Sequence, residues 1–130
     1  MAITTFDPDY VPGSAYLSNG NLSVTDLNGY GNMISNTSKS NGKWAWEVIA
    51  DAGSLYRYGI STFNIPVETL LGDDVEGWAY EDEAYKIHDG NSEAFGDTWV
   101  YSDVIRFELN LVVGELEVFL NNVSQGVMYT

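Results

Sequence analysis

The chain has 130 residues, 45% of them hydrophobic, which is enough to bury one sizeable core and too apolar for a disordered segment. Nineteen acidic side chains face five basic ones, a net charge of -14, so nucleic acid and an anionic membrane surface are excluded as natural partners. No cysteine is present, which removes disulfides and thiolate metal sites, and no apolar run is long enough to span a bilayer.

Along the chain, helix periodicity is nearly absent, and 13 glycines break the sequence at short intervals. The recurring unit is a short alternating run closed by Gly, Asn, Asp or Ser, the mark of antiparallel sheets. Met1 to Asp7 shows no basic region followed by an apolar stretch, so no secretory leader is expected. The Asn-x-Ser/Thr triplets at Asn21, Asn36 and Asn122 are then read as chance.

A first strand is expected from Leu22 to Thr25. The clearest one follows at Lys43-Trp44-Ala45-Trp46-Glu47-Val48, with Trp44, Trp46 and Val48 on the core face. Further strands are expected at Tyr56 to Ser61, Gly77 to Tyr80 and Tyr85 to His88, with one short helical turn from Pro66 to Leu71. Two runs near the end put Ile105, Phe107, Leu109 and Leu111, then Leu116, Val118 and Leu120, on an inner face. Matching those faces pairs Leu111 with Leu116, Leu109 with Val118 and Phe107 with Leu120, around a loop of residues 112–115. Arg106, Glu108, Asn110, Glu117 and Phe119 fall on the outer face. The expectation is one all-β domain over residues 1–130, a sandwich or barrel.

Charge is uneven: fourteen of the nineteen acids lie in residues 66–130. Six carboxylates fall between Asp73 and Glu83, and Asp73, Asp74 and Glu76 are the candidates for a calcium site. No EF-hand spacing is present, so a solvated acidic loop or a face for a basic partner stands ahead of a metal. The single histidine, His88, precedes Asp89-Gly90 and reads as a surface turn residue without a catalytic partner. Glu115 and Glu117 share a face two residues apart, but that face points outward, which weakens a glycosidase reading. Among the tryptophans, Trp44 and Trp46 are assigned to the core, whereas Trp78, Trp99 and Tyr101 flank loops and are the surface candidates.

Several pieces, in order, resemble the SPRY domain family. They are Thr5-Phe6-Asp7-Pro8, Leu17-Ser18-Asn19-Gly20-Asn21, Gly42-Lys43-Trp44-Ala45-Trp46-Glu47-Val48 and Tyr58-Gly59-Ile60-Ser61. Gly77-Trp78-Ala79-Tyr80, Phe95-Gly96, Asp103-Val104-Ile105, Leu109-Asn110-Leu111, Phe119-Leu120-Asn121-Asn122 and Gly126-Val127 continue the series. Ala45, Arg106 and Asn122 depart from the pattern, where an aromatic, a Gly and a turn Gly are usual. The resemblance implies a bent, jelly-roll-type antiparallel β-sandwich whose loops bind protein partners without catalysis. By position it points to Tyr56, Arg57, Trp78, Tyr80, Trp99 and Tyr101 as the binding face, with no cofactor. The family continues past its Gly-Val motif into further strands, so either the sequence is trimmed after Thr130 or a sheet edge is left open for a partner or a symmetry mate. The Asn- and Gly-rich opening is similar in style to bacteriophage SPRY proteins. That implies a virion component, a head decoration or tail protein, contacting other virion subunits or its own copies. The alternatives are a cytoplasmic adaptor that binds a short peptide and a carbohydrate-binding or glycosidase-like sandwich.

Overall fold

The computed structural model describes residues 4–26, 31–50 and 56–130. Ten strands and no helix occur among them: β1 (Ala15–Ser18), β2 (Ser23–Asp26), β3 (Lys43–Ile49), β4 (Arg57–Ser61), β5 (Gly77–Glu81), β6 (Tyr85–His88), β7 (Asn91–Ala94), β8 (Val104–Asn110), β9 (Glu115–Leu120) and β10 (Val123–Tyr129). β1 and β2 form a small hairpin, while the rest build two four-stranded antiparallel sheets in the orders β10-β9-β8-β3 and β4-β5-β6-β7.

The sheets pack face to face. One contributes Ile105, Phe107, Leu116, Val118, Leu120 and Met128 to the core, and the other contributes Tyr80, with Tyr58 and Ile60 packed beside it. Ile105, Phe107 and Val118 are wholly buried, and each such side chain stabilises the fold by roughly 1.5–3 kcal/mol. Trp46 stacks on Phe107 with ring centroids 5.5 Å apart. No helix among the described residues is long and apolar enough to cross a membrane.

The strands β4, β5 and β6 of the second sheet are covered on their outer side as well, whereas β7 is exposed. Residues 62–76 fold back over the covered strands, and Leu71 and Ile65 stand 2.6 and 3.1 Å from where a Gly77 Cβ would be. Arg57 fastens this loop, binding Asp73 at 2.7 Å, Glu81 at 2.9 Å and the Leu71 carbonyl at 3.1 Å. The N-terminal segment is attached through Asn32, which donates to the Pro66 carbonyl at 2.7 Å and to Thr69 Oγ1 at 3.0 Å.

Several expectations need correction. The closing hairpin pairs Leu109 with Leu116, Phe107 with Val118 and Ile105 with Leu120, two residues away from the expected register. A two-residue shift keeps every side chain on its face, so the apolar pattern could not choose. The turn chose: Gly114 sits at φ +73 and donates to the Asn110 carbonyl, closing the loop at residues 111–114. Pro66 to Leu71 forms a turn and not a helix. Trp44 lies on the strand face expected, yet is 39% exposed, because it stands at the end of β3 beyond the opposing layer. Its indole donates to the Asn41 carbonyl at 2.6 Å, and Lys39 lies 3.8 Å above the ring. No alternating run marks β1, β7 or β10, although the family resemblance takes in Leu17 and Ser18 of β1 and Gly126 and Val127 of β10.

Candidate functional site

At the end of the sandwich where β3 stops and β4 begins, residues 95–103 form a loop held by a series of hydrogen bonds. The Asp97 N–H donates to Gln125 Oε1 at 2.8 Å, and the Trp99 N–H to the Asp82 carbonyl at 3.1 Å. Gln125 is free to reach across because β10 bulges between Ser124 and Gly126. Asp103 then ties the turn shut: one carboxylate oxygen accepts the Val100 N–H at 2.8 Å, the other accepts Asn121 Nδ2 at 2.9 Å. These donors, Asn121 first, hold the Asp103 carboxyl below its ordinary range. The Ser102 N–H donates to the Ala50 carbonyl at 2.6 Å, with Ser102 itself at φ +72.

Beneath this turn lies a column of rings. Trp99 is 4% exposed and stacks on Tyr58 at 5.1 Å, Tyr58 faces Tyr56 at 6.4 Å, and Tyr80 meets Trp99 and Phe95 edge-on. The Tyr80 hydroxyl donates to the Asp97 carbonyl. Burial above all, then the nearby Asp97 charge, pushes the Tyr80 phenol up to about 12. What this foundation presents to solvent is an apolar pair, Val100 at 66% and Tyr101 at 64% exposure. Ile49 and Val123 are exposed at the same end. Asp82, Glu83, Asp97 and Asp103 lie on the loops of this end, with no lysine or arginine in residues 82–84, 95–103 or 121–122.

The six expected binding residues therefore separate. Tyr56 and Tyr101 reach the rim of this end. Tyr80 and Trp99 lie in the core and offer no face to a partner, because the loop that carries Trp99 turns its ring inward. Arg57 is occupied with the loop over the outer face. Trp78 lies at the opposite end, half-buried, stacked on His88 at 4.5 Å. Val100 was not singled out from the sequence, although an apolar pair outside any alternating run is the signal that finds it.

His88 is also more than a turn residue. It closes β6, donates through Nδ1 to the Gly77 carbonyl at 2.7 Å, and meets the Tyr129 ring edge-on. With Asp89, Asn91, Ser92, Glu93 and Tyr129 it lines an open cleft of about 490 Å³. The Tyr129 phenol is pushed up to about 12, by burial first and by Glu93 second. Asp73, Asp74 and Glu76 do not form a calcium cage. Arg57 holds Asp73, Asp74 Oδ1 accepts the Glu76 N–H at 2.9 Å, and the Glu76 carboxylate accepts the Thr62 hydroxyl. No group of three or more His, Asp or Glu is placed to hold a metal among the described residues.

Comparison with known proteins agrees with this architecture. The SPRY domain family profile matches residues 43–130, from the first residue of β3 to the end of the chain. The chain belongs to the SPRY domain family. It is also 28% identical over 91 residues to the E3 ubiquitin-protein ligase RKP of Arabidopsis thaliana, a match covering 68% of this chain and 7% of that protein. The SPRY match begins at the Lys-Trp-Ala-Trp-Glu-Val strand and takes in both four-stranded sheets. SPRY domains are protein-interaction modules, and the loops at the end described above present Val100 and Tyr101 to solvent, as other loops present Phe63, Val112 and Val113. Neither the fold nor the relative carries anything toward a virion role.

Proposed function

We propose that this SPRY domain is the recognition module of a cytoplasmic adaptor and captures a short segment of another protein at Val100 and Tyr101. The observation that carries this reading is the exposed apolar pair on a turn whose backbone is already hydrogen-bonded. A turn fixed in advance loses little conformational entropy on binding, so its apolar area is turned into affinity efficiently. The surrounding carboxylates select the partner's chemistry: an apolar or aromatic anchor flanked by lysine or arginine. The adaptor reading is preferred to a virion component because the relative is a cellular protein that carries the match in a small part of its length.

Selection from a displayed library of random peptides tests the proposal. Peptides enriched on the parent domain are expected to share an apolar residue next to basic ones. Tyr101→Ala is expected to weaken them about 30-fold, the loss typical of an interface anchor, while the melting temperature stays within about 2 °C of the parent. Selected peptides that bind Tyr101→Ala and Val100→Ser as tightly as the parent would overturn it.

A further inference from the structure

The two sheets leave four edge strands, and three of them are short or irregular. β10 carries two irregularities, between Ser124 and Gly126 and between Val127 and Tyr129. β7 has only four residues, and the side chains of β4 are all partly covered. β3 is different: seven residues in unbroken register with β8, without a bulge or a proline.

The Gly42 carbonyl and the Ala50 N–H both bond toward the β8 side. Hydrogen-bonding direction alternates along a strand, so Lys43, Ala45, Glu47 and Ile49 turn their N–H and C=O groups away from β8. Among the described residues no hydrogen bond reaches those outward groups, and all four side chains are exposed.

We propose that β3 pairs antiparallel with β3 of a second copy of this chain, about a two-fold axis at Ala45. The two four-stranded sheets then become one continuous sheet. The residues of the strand choose both the occupant and the register. With Ala45 facing Ala45, Lys43 of each copy stands opposite Glu47 of the other, and Trp44 stands opposite Trp46. A two-fold at Lys43 would set lysine against lysine, and one at Glu47 would set glutamate against glutamate, which is destabilising. A two-fold at Trp46 would leave Lys43 facing Ile49. Only the Ala45 register places both charges directly against opposite ones and the smallest side chain at the axis. It forms roughly six backbone hydrogen bonds and covers part of Trp44. The contact is small for a stable dimer, and the net charge of -14 opposes it at low salt, so the association is transient and needs physiological screening.

The chain has no cysteine, so Ala45→Cys introduces a lone thiol. A hydrogen-bonded antiparallel pair holds its Cα atoms about 5.5 Å apart, within disulfide range. Under mild oxidation at physiological salt, Ala45→Cys is expected to form a covalent dimer about tenfold faster than Val113→Cys, whose exposed side chain lies on the β8–β9 loop. Adding Lys43→Glu or Glu47→Lys to Ala45→Cys slows this toward the Val113→Cys rate, and adding both restores it. Melting curves confirm that each variant is folded. Equal oxidation rates for the two thiols, or failure of the double swap to restore the fast rate, overturns the pairing. The pairing is set by Lys43, Ala45 and Glu47 and not by residues of the Val100–Tyr101 turn, so peptide capture can fail while this pairing holds, and the reverse.

Discussion

Gly59 is the position where the sandwich tolerates a side chain least. It lies on β4 opposite Ala79 of β5. An added Cβ would stand 1.9 Å from the Trp78 carbonyl oxygen, 3.0 Å from the Trp78 carbonyl carbon and 3.2 Å from the Ala79 Cα. Every one of those atoms is backbone, so no rotamer change relieves the contact. Ordinary separation requires the strands to part by more than about 1 Å, against a ladder spacing of about 4.8 Å. β5 is fixed between β4 and β6, so the edge strand β4 has to yield. Gly59→Ala then loses about two ladder hydrogen bonds, near 1 kcal/mol each, and part of the burial of Tyr58 and Ile60. The sum is about 3–5 kcal/mol, a large share of the stability of a domain this size, and lowers the melting temperature by about 10–15 °C. Calorimetry measures this directly. Gly114→Ala is the control, since nothing lies near its Cβ position and only the strain of φ +73, about 1 kcal/mol, is added. If Gly59→Ala melts within about 3 °C of the parent, or above Gly114→Ala, the close approach of β4 and β5 is not what this position serves.

Arg57→Met removes the cation that binds Asp73 and Glu81 and leaves Glu81, 13% exposed, facing none. The expected cost is about 2–4 kcal/mol, with faster limited proteolysis within residues 62–76 as the loop comes away from the sheet. Alkali acts through Tyr80 and Tyr129. Both phenols titrate near 12 in the fold, raised chiefly by burial, against about 10 unfolded. A raised folded value means that the stabilisation is intact below pH 10 and is lost as pH rises from about 10 to 12. Melting temperature against pH should therefore fall steeply in that window. Tyr129→Phe should flatten the fall, and an unchanged slope would show that Tyr129 ionises freely.

How much of the fold the chain announces depends on which of its rules are local. Alternation placed Ile105, Phe107, Leu116, Val118 and Leu120 inside, because only one phase of the pleat buries them all. The same alternation repeats after two residues, so it left the pairing open until the Gly114 turn closed it. β7 reads Asn-Ser-Glu-Ala and has no apolar face to detect. It exists because β6 offers it a free ladder, which is a property of the partner strand. Trp44 shows a further limit: its face followed from the pleat, but its exposure depends on how far the second sheet extends.

The site was less legible for a related reason. Aromatic side chains near loops serve equally as the floor of a surface or as the surface itself, and residue type does not separate the two. Trp99 and Tyr101 are two residues apart, yet one anchors the ring column and the other is left in solvent. The difference comes from contacts distant in sequence: Gln125 on Asp97, Asp82 on Trp99, Asn121 on Asp103 and Ala50 on Ser102. Three of these fix a backbone N–H of the loop, the Asn121 bond fixes the Asp103 carboxylate that caps the Val100 N–H, and Val100 and Tyr101 are left facing solvent. The acidic loops have the same dependence. Asp73 answers Arg57 and Glu76 answers Thr62, so those carboxylates act as fasteners within the fold. Those at the rim of the Val100–Tyr101 end, Glu83 among them, stand beside no cation of their own loops. A basic partner gains most there, because its charge meets carboxylates that the fold has not already neutralised.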